Sequence, residues 1–195
     1  MSTATLLIAG LGNPGRQYHD NRHNAGAWFL AALCRQQGVE LKPERKFYGD
    51  LATIRIDGLD IRLLFPTTYM NKSGQAVAAL ANFYKIAASN ILVAYDELDL
   101  PLGTSRLKLG GGHGGHNGIR DIITALGTRD FMRLRLGIGH PGDSAKVLGH
   151  VLGDFARDEV PVIEREIDRT LDILPLLAEG KLEAAMHKLH TRPAP

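Results

Sequence analysis

Cysteine is almost missing from this chain: Cys34 is the one thiol in 195 residues. That excludes an internal disulfide framework, and its place inside an apolar helical run makes it inert core. Long hydrophobic runs are missing too, since the longest nearly apolar stretch, residues 25–34, is far shorter than the ~20 residues that span a bilayer. Nor is there a strong excess of either charge. The 23 Lys and Arg against 21 Asp and Glu leave a formal +2, which permits a local basic patch for nucleic acid without demanding one. The first residues, Met1-Ser-Thr-Ala-Thr5, have no basic region or cleavage pattern, so a cytoplasmic protein is expected. Internal repeats are absent. So is any G-x-S-x-G turn, which argues against an ordinary serine esterase triad.

What is present is an ordinary globular composition, 44% hydrophobic and 23% charged, at a length that favours one domain. Residues 6–9 read as a buried strand ended by Gly10, and residues 24–37 as a helix closed by Gly38. Strand-like segments at 48–56 and 61–65 are joined by Asp57-Gly58, a hairpin signal. A helix over 75–84, a strand over 90–95, a half-exposed strand over 104–109, a helix over 117–126 and a strand over 133–138 follow. An amphipathic helix opens at Asp158 with Pro161 in its first turn, carries Ile163, Ile167, Leu171 and Leu174, and ends at Gly180; residues 181–190 form another. The tail from Arg192 to Pro195 is expected to fray. Strands interleaved with helices argue an α/β fold, in which ligands gather beyond the carboxyl ends of strands. Loops 12–24, 66–73, 96–103 and 110–118 all follow expected strands.

The last of these packs six glycines, His113, His116 and Asn117 into residues 110–118. Glycine loses more backbone freedom on folding than any other residue, so such a run implies close approach to a ligand. Zinc on His113 and His116 is conceivable, but no third ligand is evident. Asn117 can also serve as an N-cap. Gly10-Leu-Gly-Asn-Pro-Gly15 fits the dinucleotide fingerprint. Pro14 removes a donor, however, and no helix opens at once, so a tight turn with Asn13 bonded to its own backbone is preferred. In Arg22-His23-Asn24, Asn24 suits an N-cap. His23 would feel the positive end of the helix dipole, which favours a neutral imidazole able to act as a base if a carboxylate holds its other nitrogen. Asp96, the first residue past its strand, is best placed to do so, and a metal role for Asp96-Glu-Leu-Asp99 is the weaker reading. In Pro66-Thr-Thr-Tyr-Met-Asn71, Asn71 either turns the chain or orients a carbonyl or water, and Tyr69 offers a flat surface. Arg106, Lys108, Arg133 and Arg135 are either a solvated edge or a small phosphate patch.

Taken together, these motifs resemble the bacterial peptidyl-tRNA hydrolase family. The resemblance rests on residues 10–15, Tyr18, Arg-His-Asn-Ala-Gly at 22–26, Lys46-Phe47, residues 66–71, Asp-Glu-Leu-Asp-Leu-Pro at 96–101, residues 111–118 and Arg-Leu-Arg-Leu-Gly-Ile-Gly-His-Pro-Gly at 133–142. It runs from about residue 5 to 190, and the C-terminal tail matches poorly. It implies a single three-layer α/β/α domain with a twisted mixed β-sheet, monomeric, with no metal or other cofactor. It also implies hydrolysis of the ester between a peptide and the 3′-terminal ribose of tRNA, with contacts to the acceptor stem and 3′ CCA end. On this reading His23 activates water, Asp96 holds its imidazole, and Asn13 discriminates blocked from free aminoacyl ends. Asn71 and Asn117 engage the substrate, Tyr18, Tyr69, Met70 and His116 line the cleft, and Lys108 and Arg135 suit tRNA phosphates.

Overall fold

The computed structural model describes residues 5–192. One seven-stranded mixed sheet organises them, in the order β2-β3-β4-β1-β5-β7-β6. The strands are β1 (Leu6–Gly10), β2 (Lys42–Glu44), β3 (Gly49–Ile56), β4 (Leu59–Pro66), β5 (Ile91–Glu97), β6 (Ser105–Leu109) and β7 (Met132–Gly137). β1 lies parallel to both β4 and β5, and β5 is parallel to β7; the outer pairs β2–β3, β3–β4 and β6–β7 are antiparallel. Every residue of β1 is buried, as a continuous apolar run covered on both faces requires.

Along β5 the alternation sorts side chains into two cores. Leu92 and Ala94 join the layer containing α1 (Ala25–Gln37), α5 (Val160–Leu171) and α7 (Leu182–His190), whereas Ile91, Val93 and Tyr95 pack with α2 (Ser73–Tyr84) and α3 (Asn117–Leu126). The three-layer α/β/α expectation therefore holds. Asp57 (φ 50°) and Gly58 (φ 81°) form the hairpin turn between β3 and β4, where two successive positive φ angles match the twist of the strands.

The helix expected from Asp158 to Gly180 is broken in two, α5 and α6 (Leu174–Ala178). Pro175 explains the break: it has no N–H for the carbonyl of Leu171, the last residue of α5, and its ring would clash there. Two short elements were not anticipated, the exposed β2 and α4 (Val147–Val151). Arg192 is not frayed but donates to Gly103 O and to Thr104 Oγ1, at 2.5 and 3.2 Å; residues 193–195 of the expected frayed tail lie outside the described part. α7 packs along edge strand β6, where Leu107 N–H donates to His190 Nε2 at 3.0 Å. Among the described residues no helix is long and apolar enough to cross a membrane.

The strand-end rule fails for one loop. Because β6 runs antiparallel to β7, loop 110–116 leaves the sheet at the end opposite the exits of β1, β4 and β5. It then has to climb back to reach the site at the start of α3.

Candidate active site

Two glycines bring α1 onto the sheet. A Cβ on Gly10 would stand 2.8 Å from Leu30 Cβ, and one on Gly26 would stand 2.6 Å from Leu11 N and overlap Ala94 O. Ala27 N–H then donates to Leu11 O at 3.1 Å, and Leu11 N–H to Ala94 O at 3.0 Å. The fingerprint-like glycines thus seat a helix against strands, and the space a pyrophosphate would need at Gly12 is filled by the Asn24 amide, 2.8 Å from where a Cβ would be. The turn Arg22–Asn24, which leads into α1, sits directly above the exit of β5.

At this junction His23 Nδ1 lies 3.0 Å from both Asp96 carboxylate oxygens, and His116 Nε2 lies 2.8 Å from Asp96 Oδ1. Ile119 N–H donates to His116 Nδ1 at 3.3 Å. That bond assigns the His116 proton to Nε2, which donates to Asp96. His23 Nδ1–H donates to the same carboxylate, leaving its Nε2 lone pair as an acceptor. His116 also lies against the rings of His23 and Tyr95, with centroids 4.9 and 5.0 Å away. It is therefore a buried support for Asp96, not an open wall of the cleft as expected. It also caps α3, a role the sequence had given to Asn117.

Burial alone would raise the Asp96 pKa, but the two imidazoles and their hydrogen bonds outweigh it and hold the carboxyl well below its usual range. For His23, burial alone would lower the pKa, yet the Asp96 charge and hydrogen bond carry it above 6.5. The expected dipole effect is overturned because a full charge in contact outweighs a partial one. Ligand atoms of His23, Asp96 and His116 all lie within 4.8 Å of one another, so this trio meets the spacing of a metal cluster. The His116 tautomer favours hydrogen bonding, since Nε2 carries its proton toward Asp96. His113 stands outside the trio and accepts from Gly115 N–H at 2.9 Å.

Asn24 does not cap α1. Its amide clamps Asn13 in both directions, accepting from Asn13 N–H and donating to Asn13 O, each at 3.0 Å. Asn13 Oδ1 accepts in turn from Met70 N–H at 2.7 Å, a bond across the sheet in place of the expected local turn. With its oxygen committed, Asn13 presents its NH₂ as a fixed donor. Tyr69 and Asn71 flank Met70 and are exposed, while Tyr18 is half-buried in the turn Arg16–Tyr18. The Met70 side chain is only 4% exposed and packs beneath, near Gly118, so its backbone is what serves the site. Asn117 is exposed on the first turn of α3 and accepts from Arg120 Nη1 at 3.4 Å.

The four cations on β6 and β7 separate. Arg106 is paired in register with Arg135, and Lys108 with Arg133; like charges so placed repel unless neutralised. Arg133, 1% exposed, is no phosphate ligand: its guanidinium donates to the carbonyls of Gly111, Gly112 and Arg129 at 2.7, 2.5 and 3.1 Å and lies over the Phe131 ring. It fastens the glycine loop from beneath. Arg135 donates to Glu97, whereas Arg106 and Lys108 are exposed. Sequence reasoning missed the Asn24 clamp and the Arg133 anchor. Neither leaves a local signal, because their partners lie 11 and about 21 residues away and are mostly backbone atoms. A broad concavity lies elsewhere, between α1 and α5, lined by Trp28, Ala31, Arg35, Phe155 and Glu164; it meets the site at Asn13 and Asn24.

Comparison with known proteins agrees over the whole chain. A family model described as peptidyl-tRNA hydrolase matches residues 7–195. The peptidyl-tRNA hydrolase of Marinobacter nauticus is 55% identical and covers 100% of both chains. That of Pseudomonas syringae pv. syringae is 56% identical over 98% of this chain and 100% of its own. A crystal structure of peptidyl-tRNA hydrolase from Acinetobacter baumannii superposes with TM-score 0.93 at 47% identity, covering 100% of this chain and 99% of the other.

Proposed function

This chain belongs to the peptidyl-tRNA hydrolase family, and from that premise we propose that it hydrolyses the ester joining a peptide or N-blocked amino acid to the 3′-terminal ribose of tRNA, recycling tRNA from peptides lost during translation. The observation that carries this reading is the His23–Asp96 contact at 3.0 Å, from which the proton is assigned to Nδ1 and the lone pair to Nε2. His23 Nε2 takes a proton from water as its oxygen attacks the ester carbonyl. The oxyanion that forms is met by amide donors, of which Asn13 is the most rigidly aimed and Asn71 and Asn117 are the exposed companions. Collapse expels the ribose oxygen, which recovers the proton from His23. An ester leaves readily enough for one positioned base to suffice without a covalent nucleophile.

Asn13 also favours blocked over free aminoacyl ends, and Tyr18 and Tyr69 line the cleft. Lys108 and Arg135 meet phosphates of the acceptor stem, Arg135 by exchanging Glu97 for RNA. The enzyme works in the cytoplasm as a monomer, without a metal.

The test is release of an N-acetylated amino acid from tRNA, compared with free aminoacyl-tRNA, in excess chelator. Turnover of the blocked substrate alone is expected. His23→Ala should lose about 10²–10⁴-fold in kcat while still binding tRNA; near-normal hydrolysis by that variant would sink the assignment. Loss of wild-type activity in chelator would transfer the His23–Asp96–His116 trio to a metal.

A further inference from the structure

In the motif at residues 22–26, His23 faces Asp96, Asn24 clamps Asn13 and Gly26 seats α1. Arg22 reaches instead into residues 150–159. Its Nη1 donates to His150 O at 3.0 Å and its Nη2 to Glu159 Oε1 at 2.7 Å, while its backbone N–H donates to Gly153 O at 2.9 Å. The residues before it are tied to the same segment: Phe155 N–H donates to Asp20 O at 3.0 Å, and Asn21 Nδ2 to Asp154 Oδ1 at 2.7 Å. The side chains of the Arg22–Glu159 ion pair are 13% and 23% exposed. Burial alone would raise the Glu159 pKa, but the Ala156 N–H and the Arg22 guanidinium outweigh it and hold the carboxyl below its ordinary value. The contact with His150 completes a ring around the site. His150 Nε2–H donates to Ile138 O at 3.1 Å, and Ile138 N–H to Glu97 O at 3.0 Å. Glu97 adjoins Asp96, Asp96 pairs with His23, and His23 adjoins Arg22. His23 is thus tied to β5 twice, once through the carboxylate and once through Arg22, His150 and the first residue past β7.

We infer that Arg22 is a positioning residue for hydrolysis: by fastening the turn Arg22–Asn24 to residues 150–159, it sets the His23–Asp96 contact and the aim of His23 Nε2. The inference rests on the hydrolase reading above. A lone 3₁₀ turn has poorer hydrogen-bond geometry than an α-helix, so its surroundings have to hold it. Asn24 holds one side through Asn13, and Arg22 holds the other, which fixes the base between two clamped neighbours. A guanidinium suits the place because its rigid, planar fork serves a carboxylate and a carbonyl at once, which the point charge of a lysine does not reproduce. Arg22 itself touches neither Asp96 nor the lone pair of His23, so it acts on the reaction through the turn alone. Small displacements of a reacting group are costly: about 1 Å of misplacement lowers a rate by up to roughly 10²-fold.

The experiment compares wild type with Arg22→Met, Arg22→Lys and Glu159→Gln in two measurements, well below their melting temperatures. One is turnover of N-acetyl-aminoacyl-tRNA; the other is the proton NMR signal of His23 Nδ1–H, identified by its loss in His23→Ala. Arg22→Met is expected to lower kcat by about 10–10²-fold with KM little changed, and its Nδ1–H should exchange faster with water as the contact with Asp96 loosens. Arg22→Lys and Glu159→Gln keep part of the contacts and should fall between that variant and wild type. Wild-type kcat beside a lower melting temperature assigns Arg22 to stability alone and overturns the inference. A rise in KM at constant kcat assigns it to tRNA and overturns it too, as does an unchanged Nδ1–H signal. Should Arg22→Met not fold, Glu159→Gln decides by the same two readings, and wild-type values there overturn the inference. Absence of wild-type turnover is a separate failure, of the hydrolase reading itself; failure of the inference alone leaves wild-type turnover intact.

Discussion

Asp96 is a buried anion shared by two imidazoles, and a buried charge persists only when its partners outweigh the lost hydration. Its charge also sets where His23 titrates. On the proposed mechanism water activation needs the neutral imidazole, so the raised His23 pKa predicts a rising limb of kcat/KM above 6.5. In Asp96→Asn the Coulombic support disappears while burial remains, so the limb should move down and kcat should fall by about 10²-fold or more through loss of the fixed tautomer. A pH–rate series on both proteins checks this; a limb that stays in place would show that another group controls the profile. The contact with His23 was legible because Asp96 follows a strand and His23 precedes a helix. The second contact, with His116, was not, because it depends on the direction of β6, which alternation along residues 104–109 does not reveal.

Among the elements, α1 is placed by absence of side chains. Any Cβ at Gly26 meets Ala94 O and Leu11 N on the two central strands, so Gly26→Ala must lift the helix and with it the turn carrying His23. Overpacking of this kind costs about 1–3 kcal/mol, roughly 2–4 °C in Tm for each kcal/mol at this chain length. Thermal melting should show that loss, and kcat measured well below the melting range should fall beyond it, because His23 moves off Asp96. An alanine variant with wild-type kcat would mean that α1 can shift without disturbing the pair. The sequence showed these glycines plainly and suggested a nucleotide; their partner, a helix crossing two strands, exists only in three dimensions. Elements with strong local signals, such as the Asp57-Gly58 hairpin and the helix Asn117–Leu126, needed no such context. The exposed three-residue β2 carries Pro43 and has no pattern to read.

At the scale of the molecule, the C-terminal helix closes one edge of the sheet. An open edge strand invites pairing with other chains, and at β6 the Leu107 N–H is occupied by a histidine that must be neutral to accept it. Burial, with Arg106 and Arg169 nearby, lowers the His190 pKa below 6.5. A histidine depressed in this way gives its full contribution above 6.5 and loses it as pH falls toward its folded value. His23, shifted upward, acts in the opposite sense, contributing below 6.5 and losing that contribution as pH rises through its own folded value. His190→Gln keeps an acceptor that does not titrate, so comparing it with wild type cancels the His23 effect. Urea unfolding on either side of pH 6.5 should show a flatter acid dependence in the variant. Equal dependence would place the acid sensitivity elsewhere.

The strand β7 is the last of the seven to be made, yet it lies between β5 and β6 and carries the arginine that ties the glycine loop. A growing chain that ends at residue 131 already contains His23, Asp96, His116 and Asn117, but β5 keeps only β1 and is open on its β7 side, and loop 110–116 lacks its anchor. Purified residues 1–131 should therefore release no blocked amino acid from tRNA under conditions in which the full chain does. That outcome would mean that a protein proposed to act on unfinished chains is itself inactive while it is one.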